Sequence, residues 1–285
     1  MSRPPLPDPL PVPVADSHCH LDITRDGADL DPGGKGEPAV AELLEMAASV
    51  GVQRTVHIGC EPGSVGWAAD AAGTYAGVVA GVGIHPNEAP RLQGRGELAA
   101  ALAEVERLAT GNDRVRAVGE TGLDYFRTEP DGRAAQHASF RAHIELARRL
   151  GKTLVVHDRD AHVDVLRLLA EQPTPDRVVL HCFSGDADFA RACIDRGCYL
   201  SFAGTVTFKN ASQLRDALRV TPLDRLLVET DAPFLTPSPY RGQPNASYLV
   251  PVTVRAMAEV LGADLERLCT ALAANTASAF GGQWD

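Results

Sequence analysis

The chain has 285 residues, 45% of them hydrophobic, and a formal net charge of -10. That length suits a single α/β barrel of roughly 250 residues, and the acidic balance argues against a general nucleic-acid coat protein, which would be basic. The six cysteines (Cys19, Cys60, Cys182, Cys193, Cys198 and Cys269) form no C-x-x-C pair, so they read as reduced thiols rather than as a disulfide framework.

Residues 1–13 are proline-rich and carry no apolar signal-peptide core. They are expected to form a flexible, extended arm ahead of one domain covering 14–285. No apolar run is long enough to cross a bilayer, so a cytoplasmic protein without membrane contact is expected. The first strand is predicted at 13–17, followed by a long Gly/Asp/Pro-rich loop over 24–38 and a helix over 40–50. Strands follow at 54–58, 78–84, 115–119, 153–156, 177–180, 198–202 and 225–228. Helical patterns lie between them at 64–72, 96–109, 131–150, 161–171, 187–196 and 211–218. The pattern over 131–150 is the clearest: Phe140, Ile144 and Ala147 recur at helical spacing, Asp131 is placed to cap the start, and Gly151 stops it. The eight strand runs are short, rich in Val, Leu and Ile and not strictly alternating, as parallel strands buried on both faces should be. Eight such strands alternating with helices predict an α/β fold, a (β/α)8 TIM barrel rather than a doubly wound sheet.

Residues able to bind metal fall where that barrel would use them. His18 and His20 end the first strand, and His85 follows the third. Glu120 ends the fourth, His157 the fifth, His181 the sixth and Asp231 the eighth. Strand C-termini of a barrel converge on one mouth. Any one of these residues alone could be a hydrogen-bonded rim histidine or a helix cap. Nitrogen and oxygen groups at five separate strand ends are harder to explain as packing, because apolar residues would pack better. Residues two apart on a strand share a face, so His18 and His20 can grip one cation together. Six ligands (His18, His20, Glu120, His157, His181, Asp231) exceed the needs of one four-coordinate ion with an open position. They predict two divalent ions sharing a carboxylate, about 3.5–4 Å apart and clamping an attacking and a leaving oxygen. The donor set suits Zn, Mn, Co or Fe and accommodates Mg.

His57 is expected to be packed within its strand, and His137, His143 and His162 to be exposed or capping on helices. Strand alternation should turn the Cys19 and Cys182 thiols away from the metals. There is no P-loop, and Gly81-Val82-Gly83 lacks a dinucleotide fingerprint.

Longer motifs surround these residues: Asp16-Ser17-His18-Cys19-His20-Leu21-Asp22, Gly83-Ile84-His85-Pro86, Gly119-Glu120-Thr121-Gly122-Leu123-Asp124-Tyr125, His157-Asp158-Arg159-Asp160-Ala161, His181-Cys182-Phe183-Ser184-Gly185, Ser201-Phe202-Ala203-Gly204 with Thr207-Phe208-Lys209-Asn210, and Glu229-Thr230-Asp231-Ala232-Pro233. In these the chain resembles the TatD family of metal-dependent deoxyribonucleases, among the amidohydrolase-like barrels. The resemblance implies that His18, His20 and Asp231 hold one metal, that His157 and His181 hold the other, and that Glu120 bridges them. It implies that Asp231 accepts a proton from the attacking water, and that His85, Arg241 and Asn245 receive substrate phosphate. The activity it implies is hydrolysis of DNA phosphodiester bonds, exonuclease-like and favouring single-stranded ends. The alternative is a carboxylic ester or amide hydrolase, such as a D-aminoacyl-tRNA deacylase. Many relatives in the wider superfamily place a carboxylated lysine at strand four, where this chain has Glu120. The family's Arg-Gly-x-x-Asn turn is often followed by Glu-Pro, where Asn245 here precedes Ala246-Ser247. A non-enzymatic scaffold would be expected to have lost at least one of the six ligands, and none is lost.

Overall fold

Every predicted apolar run is a strand in the computed structural model, which describes residues 3–23, 40–282 and Trp284. They are β1 (Val14–Cys19), β2 (Val52–Gly59), β3 (Val78–Val82), β4 (Val115–Asp124), β5 (Thr153–Arg159), β6 (Val178–Leu180), β7 (Tyr199–Phe202) and β8 (Leu226–Val228). They pair in sequence order, each parallel to the next. The seam between β8 and β1 is drawn together by residues just past the strands. The Asp231 N–H donates to the His18 carbonyl at 3.0 Å, and the His20 N–H donates to the Ala232 carbonyl at 2.7 Å. Below them the buried Asp16 carboxylate accepts from the Thr230 N–H (2.9 Å) and the Thr230 hydroxyl (2.6 Å). The fold is a TIM barrel.

The described helices are α1 (Val40–Ser49), α2 (Val65–Thr74), α3 (Glu88–Gly94), α4 (Leu98–Gly111), α5 (Arg133–Leu150), α6 (His162–Ala170), α7 (Ala187–Ile194), α8 (Ser212–Val220), α9 (Val250–Leu261) and α10 (Leu265–Phe280). No helix among the described residues is long and apolar enough to cross a membrane. Two apolar layers result. The larger packs the helices against the outer faces of the strands. The smaller joins Val56, Ile58, Val79, Ala117, Val155, Val179 and Leu227 to Phe280 and Trp284 near the chain's end. The strand period of two carries that inner face forward, from Val155 to His157, from Val179 to His181 and from Leu227 to Glu229. The polar mouth therefore stands on an apolar plug.

Several expectations are revised. The loop expected over 24–38 lies outside the described residues. The proline-rich opening is extended, but from Arg3 onward it is held rather than loose: the Tyr248 hydroxyl donates to the Pro4 carbonyl (2.9 Å), Arg255 donates to the Pro9 carbonyl (3.0 Å), and the Leu10 N–H donates to the Val50 carbonyl (3.1 Å). Asp131 does not cap α5. It sits in a 3-10 turn over Pro130–Gly132, and Gly132 precedes the helix without a side-chain cap. Gly151 does end the helix, in the left-handed conformation at φ 61°. Helices α3, α9 and α10 were not anticipated. Seven residues with Pro90 inside make α3 a weak pattern, whereas α10 carries a readable start, the Asp264 side chain accepting from the Arg267 N–H.

His143 is also buried rather than exposed. Its Nδ1–H donates to the Ser139 carbonyl (2.7 Å), and its Nε2 accepts the Ile84 N–H (3.0 Å), which ties α5 to the segment leading to His85. Burial pushes its pKa from 6.5 down to about 4. The folded state thus holds the neutral ring while the unfolded chain takes up a proton. Stability from this group is complete above pH 6.5 and drains away as the pH falls toward 4, a loss of about 3 kcal/mol. Urea unfolding of wild type and His143→Gln from pH 7 to pH 4.5 should show the gap between them narrowing as pH falls; a gap that stays constant would contradict this.

Candidate metal centre

Glu120 stands at the middle of the mouth, and imidazole nitrogens of five histidines lie within 4 Å of its carboxylate. Oε1 is 2.7 Å from His157 Nδ1, 2.9 Å from His181 Nε2 and 3.4 Å from His85 Nε2. Oε2 is 3.3 Å from His18 Nε2 and 3.7 Å from His20 Nε2. Asp231 joins from the β8 side, its Oδ1 3.6 Å from His20 Nε2 and 3.7 Å from His18 Nε2. All six sequence-predicted ligands are therefore brought together. Ligand atoms of His18, His20 and Asp231 cluster closely enough for one ion, as do those of His18, Glu120 and His181 and those of His85, Glu120 and His157.

The local backbone places these groups. Glu120 lies where the β4–β5 register shifts, between Val118 and Thr121. Glycines flank it at positive φ, Gly119 at 133° and Gly122 at 139°, and a Cβ on either would collide with the Val155 or the His157 carbonyl. The bulge lets β4 lie against β5 while its carboxylate enters the mouth. Asp231 also adopts a positive φ, 55°, directly after β8, and its N–H is the one that closes the seam to His18.

Proton placement separates ligands from donors. His20 Nδ1–H donates to the Ile58 carbonyl (2.9 Å), so its Nε2 lone pair faces Glu120 and Asp231. Asp124 Oδ2 lies 3.3 Å from His157 Nε2, and Glu229 Oε1 lies 3.4 Å from His181 Nδ1. Each carboxylate favours a proton on the nitrogen it faces, which leaves His157 Nδ1 and His181 Nε2 to point inward as lone pairs. His85 differs: its Nδ1 accepts the Asn87 N–H (3.1 Å), so the neutral ring carries its proton on Nε2, aimed into the site. His85 is placed as a donor rather than as a ligand.

The donor set fits cations. His18 and His20 bring their Nε2 atoms to 3.4 Å, and His181 Nε2 lies 3.3 Å from His157 Nδ1. Two lone pairs that close repel unless a proton or a metal lies between them. In the protein alone, protons fill that need. Burial would lower His20, but its hydrogen bond to Asp231 and the charges of Glu120 and Asp231 carry its pKa up to about 9. Burial would likewise raise Glu120, yet the charge of His181, with hydrogen bonds from His157 and His18, holds it well below the usual carboxylate range. The mouth is built around positive charge.

Other expected residues fall apart from this cluster. Arg241 is exposed, with its guanidinium 4.1 Å above the Phe208 ring. Asn245 is buried, and its amide donates to the Thr230 (2.9 Å) and Phe234 (2.5 Å) carbonyls. Both of its N–H groups hold the loop that carries Asp231, which leaves none for the phosphate expected there. His57 is packed as expected, edge-on to Trp67. His162 is half-buried against Asp158 (2.7 Å), and His137 Nε2–H donates to the Tyr125 hydroxyl (2.6 Å), whose own proton goes to Asp164. Cys19 is buried in an apolar cluster away from the mouth. Cys60 lies near His20 and Glu120, a placement that strand alternation did not reveal, and burial with the Glu120 charge pushes its thiol well above the ordinary range. It remains a protonated thiol and a poor ligand as the chain stands. Asp124 and Glu229, the carboxylates behind the histidines, were missed as functional positions, though both lie inside the quoted motifs.

The family model described as TatD-related DNase matches residues 15–281. The chain belongs to the TatD family. An uncharacterized metal-dependent hydrolase TatD of Mycobacterium tuberculosis is 42% identical over 275 residues, covering 95% of this chain and 99% of that one. The uncharacterized metal-dependent hydrolase YcfH of Escherichia coli is 39% identical over 269 residues, 94% of this chain and 95% of that one. Among solved structures, the TatD homolog YJJV of E. coli matches with a TM-score of 0.81 and 27% identity, over 94% of this chain and 97% of that one. This TatD-family protein is a metal-dependent hydrolase.

Asp124 supports His157 while itself accepting from the Asn87 side chain (3.2 Å) and the Arg127 N–H (2.8 Å). Asp124→Asn removes the charge that keeps the proton on His157 Nε2. Metal affinity, measured by competition with a chelating dye, is expected to fall by about 10–100-fold with the fold intact. An unchanged affinity would show that Asp124 does not set the His157 tautomer.

Proposed function

We propose that this TatD-family hydrolase is a deoxyribonuclease with two divalent ions, cleaving DNA phosphodiesters at single-stranded ends. The observation that carries the reading is the position of Glu120, one buried carboxylate with both oxygens engaged: Oε1 faces His157 and His181, and Oε2 faces His18 and His20. That split suits a bridge between a His18–His20–Asp231 ion and a His157–His181 ion. When bound, such ions would make water a nucleophile at neutral pH and offset charge on the reacting oxygens.

The chain's own residues do the rest. Asp231 has the more accessible carboxylate of the pair, 14% exposed against 4% for Glu120, and it accepts the proton lost by the attacking water. His85 directs its Nε2–H into the mouth and donates to a phosphate oxygen. Arg241, exposed on the β8 side, draws the phosphate chain toward the centre. The apolar plug beneath the site keeps water to the open face, where a strand end enters. A net charge of -10 gives no broad attraction for duplex, which suits a short single-stranded end held locally.

Glu120→Gln keeps the size and removes the charge that offsets two neighbouring cations. It is expected to lose at least one metal per chain and to slow single-turnover cleavage of end-labelled single-stranded DNA by roughly a hundredfold or more. Exhaustive chelation of the wild type should abolish cleavage, and adding back Mg, Mn or Zn should restore it. A Glu120→Gln variant that keeps both metals and near-native rate would refute the bridge. Full activity after chelation would refute the metal mechanism.

A further inference from the structure

Four large hydrophobic side chains are exposed among the described residues: Leu6, Phe126, Val163 and Phe234. A single exposed apolar residue needs no explanation, since folded surfaces carry many. Two of these four, however, stand on the rim of the metal centre. Phe126, 61% exposed, lies two residues beyond Asp124, which faces His157. Phe234, 49% exposed, lies three residues beyond Asp231, its ring edge-on to His20 at 6.2 Å between centroids. They follow β4 and β8, four strands apart in an eight-stranded barrel, so they flank the mouth from opposite sides.

Two guanidiniums also lie over aromatic rings in the segments beyond the strand ends. Arg159, two residues beyond His157, lies 4.0 Å from the Phe126 ring centroid, and Arg241 lies 4.1 Å from that of Phe208. An arginine beside an aromatic ring can take a phosphate while the ring takes a base. In a duplex the bases stack on each other and only the end pair has a free outer face, whereas in a single strand every base can offer its faces to a side chain. Stacking on phenylalanine involves no hydrogen bond, so it accepts any base. It also supplies affinity that an acidic surface does not supply by charge.

We propose that Phe126 and Phe234 form a stacking clamp across the barrel mouth that holds unpaired bases of a DNA strand and thereby sets the preference for single-stranded ends. This deepens, and rests on, the nuclease reading above.

Binding separates the two claims. The probe is a fluorescein-labelled single-stranded oligonucleotide with phosphorothioate linkages, alongside a matching strand with abasic sites at its terminal nucleotides. Anisotropy titrations would use metal-loaded wild type, Phe126→Ala, Phe234→Ala and the conservative Phe126→Trp and Phe234→Trp. Each alanine variant is expected to raise Kd for the normal strand roughly tenfold. Neither should change Kd for the abasic strand, which wild type already binds weakly. The tryptophan variants should bind as wild type. Alanine variants that bind as wild type, an equal loss on the abasic strand, or no binding of the normal strand by wild type would each overturn the clamp. Base-dependent binding without cleavage of a phosphodiester-linked strand would uphold the clamp and remove the nuclease reading. Cleavage with base-independent binding would do the reverse.

Discussion

The structure is organised around a carboxylate held almost out of reach of bulk water. Glu120 is nearly enclosed, and an ionised carboxylate in such a place is tolerated only beside compensating charge and hydrogen bonds. Five imidazoles provide the setting, contributed by the ends of β1, β4's neighbour β5, β6 and the segment after β3. Four of those imidazoles are in turn held by a group behind them: the Ile58 carbonyl behind His20, Asp124 behind His157, Glu229 behind His181 and the Asn87 N–H behind His85. The requirement for positive charge at the centre thus propagates outward into the second ring of residues.

Barrel closure and the site share the same residues. The N–H of Asp231 and the carbonyl of His18 make the hydrogen bond that draws β8 to β1, and both residues are candidate ligands. Asn245 locks the same loop from outside by donating to the Thr230 and Phe234 carbonyls, which also fixes where the Phe234 ring stands. Beneath the seam, Asp16 is buried and bonded to Thr230, and burial lifts its pKa to about 7. Mouth, seam and rim are therefore mechanically continuous, and the inner apolar layer ending in Phe280 and Trp284 supports all three from below.

The eight strands were legible because parallel strands buried on both faces leave short unbroken Val/Leu/Ile runs, and the ligands were legible because they terminate those runs. The residues behind the ligands were not. Asp124 and Glu229 look like ordinary polar positions until the pairing of β4 with β5 and the turn after β6 put them against His157 and His181. Asn245 departs for a different reason: its phosphate contact was implied by the family resemblance alone, and only the structure shows that it is buried with both donors engaged. His143 deceived similarly, since a polar residue on a helix with a strong amphipathic pattern reads as solvent-facing, whereas here it reaches through α5 to the Ile84 N–H. Helices α9 and α10 follow the last strand, where the alternation that identified the others offers no further cue, although Gly262 in the left-handed conformation and Asp264 mark the break between them.

The central claim is that Glu120 bridges two cations. Anomalous diffraction from crystals grown with Mn or Zn, recorded at the absorption edge of the metal, tests it directly. Two peaks about 3.5–4 Å apart on either side of the Glu120 carboxylate, one among His18, His20 and Asp231 and one beside His157 and His181, are the predicted result. A single peak, or a pair that leaves Glu120 uncoordinated, would contradict it.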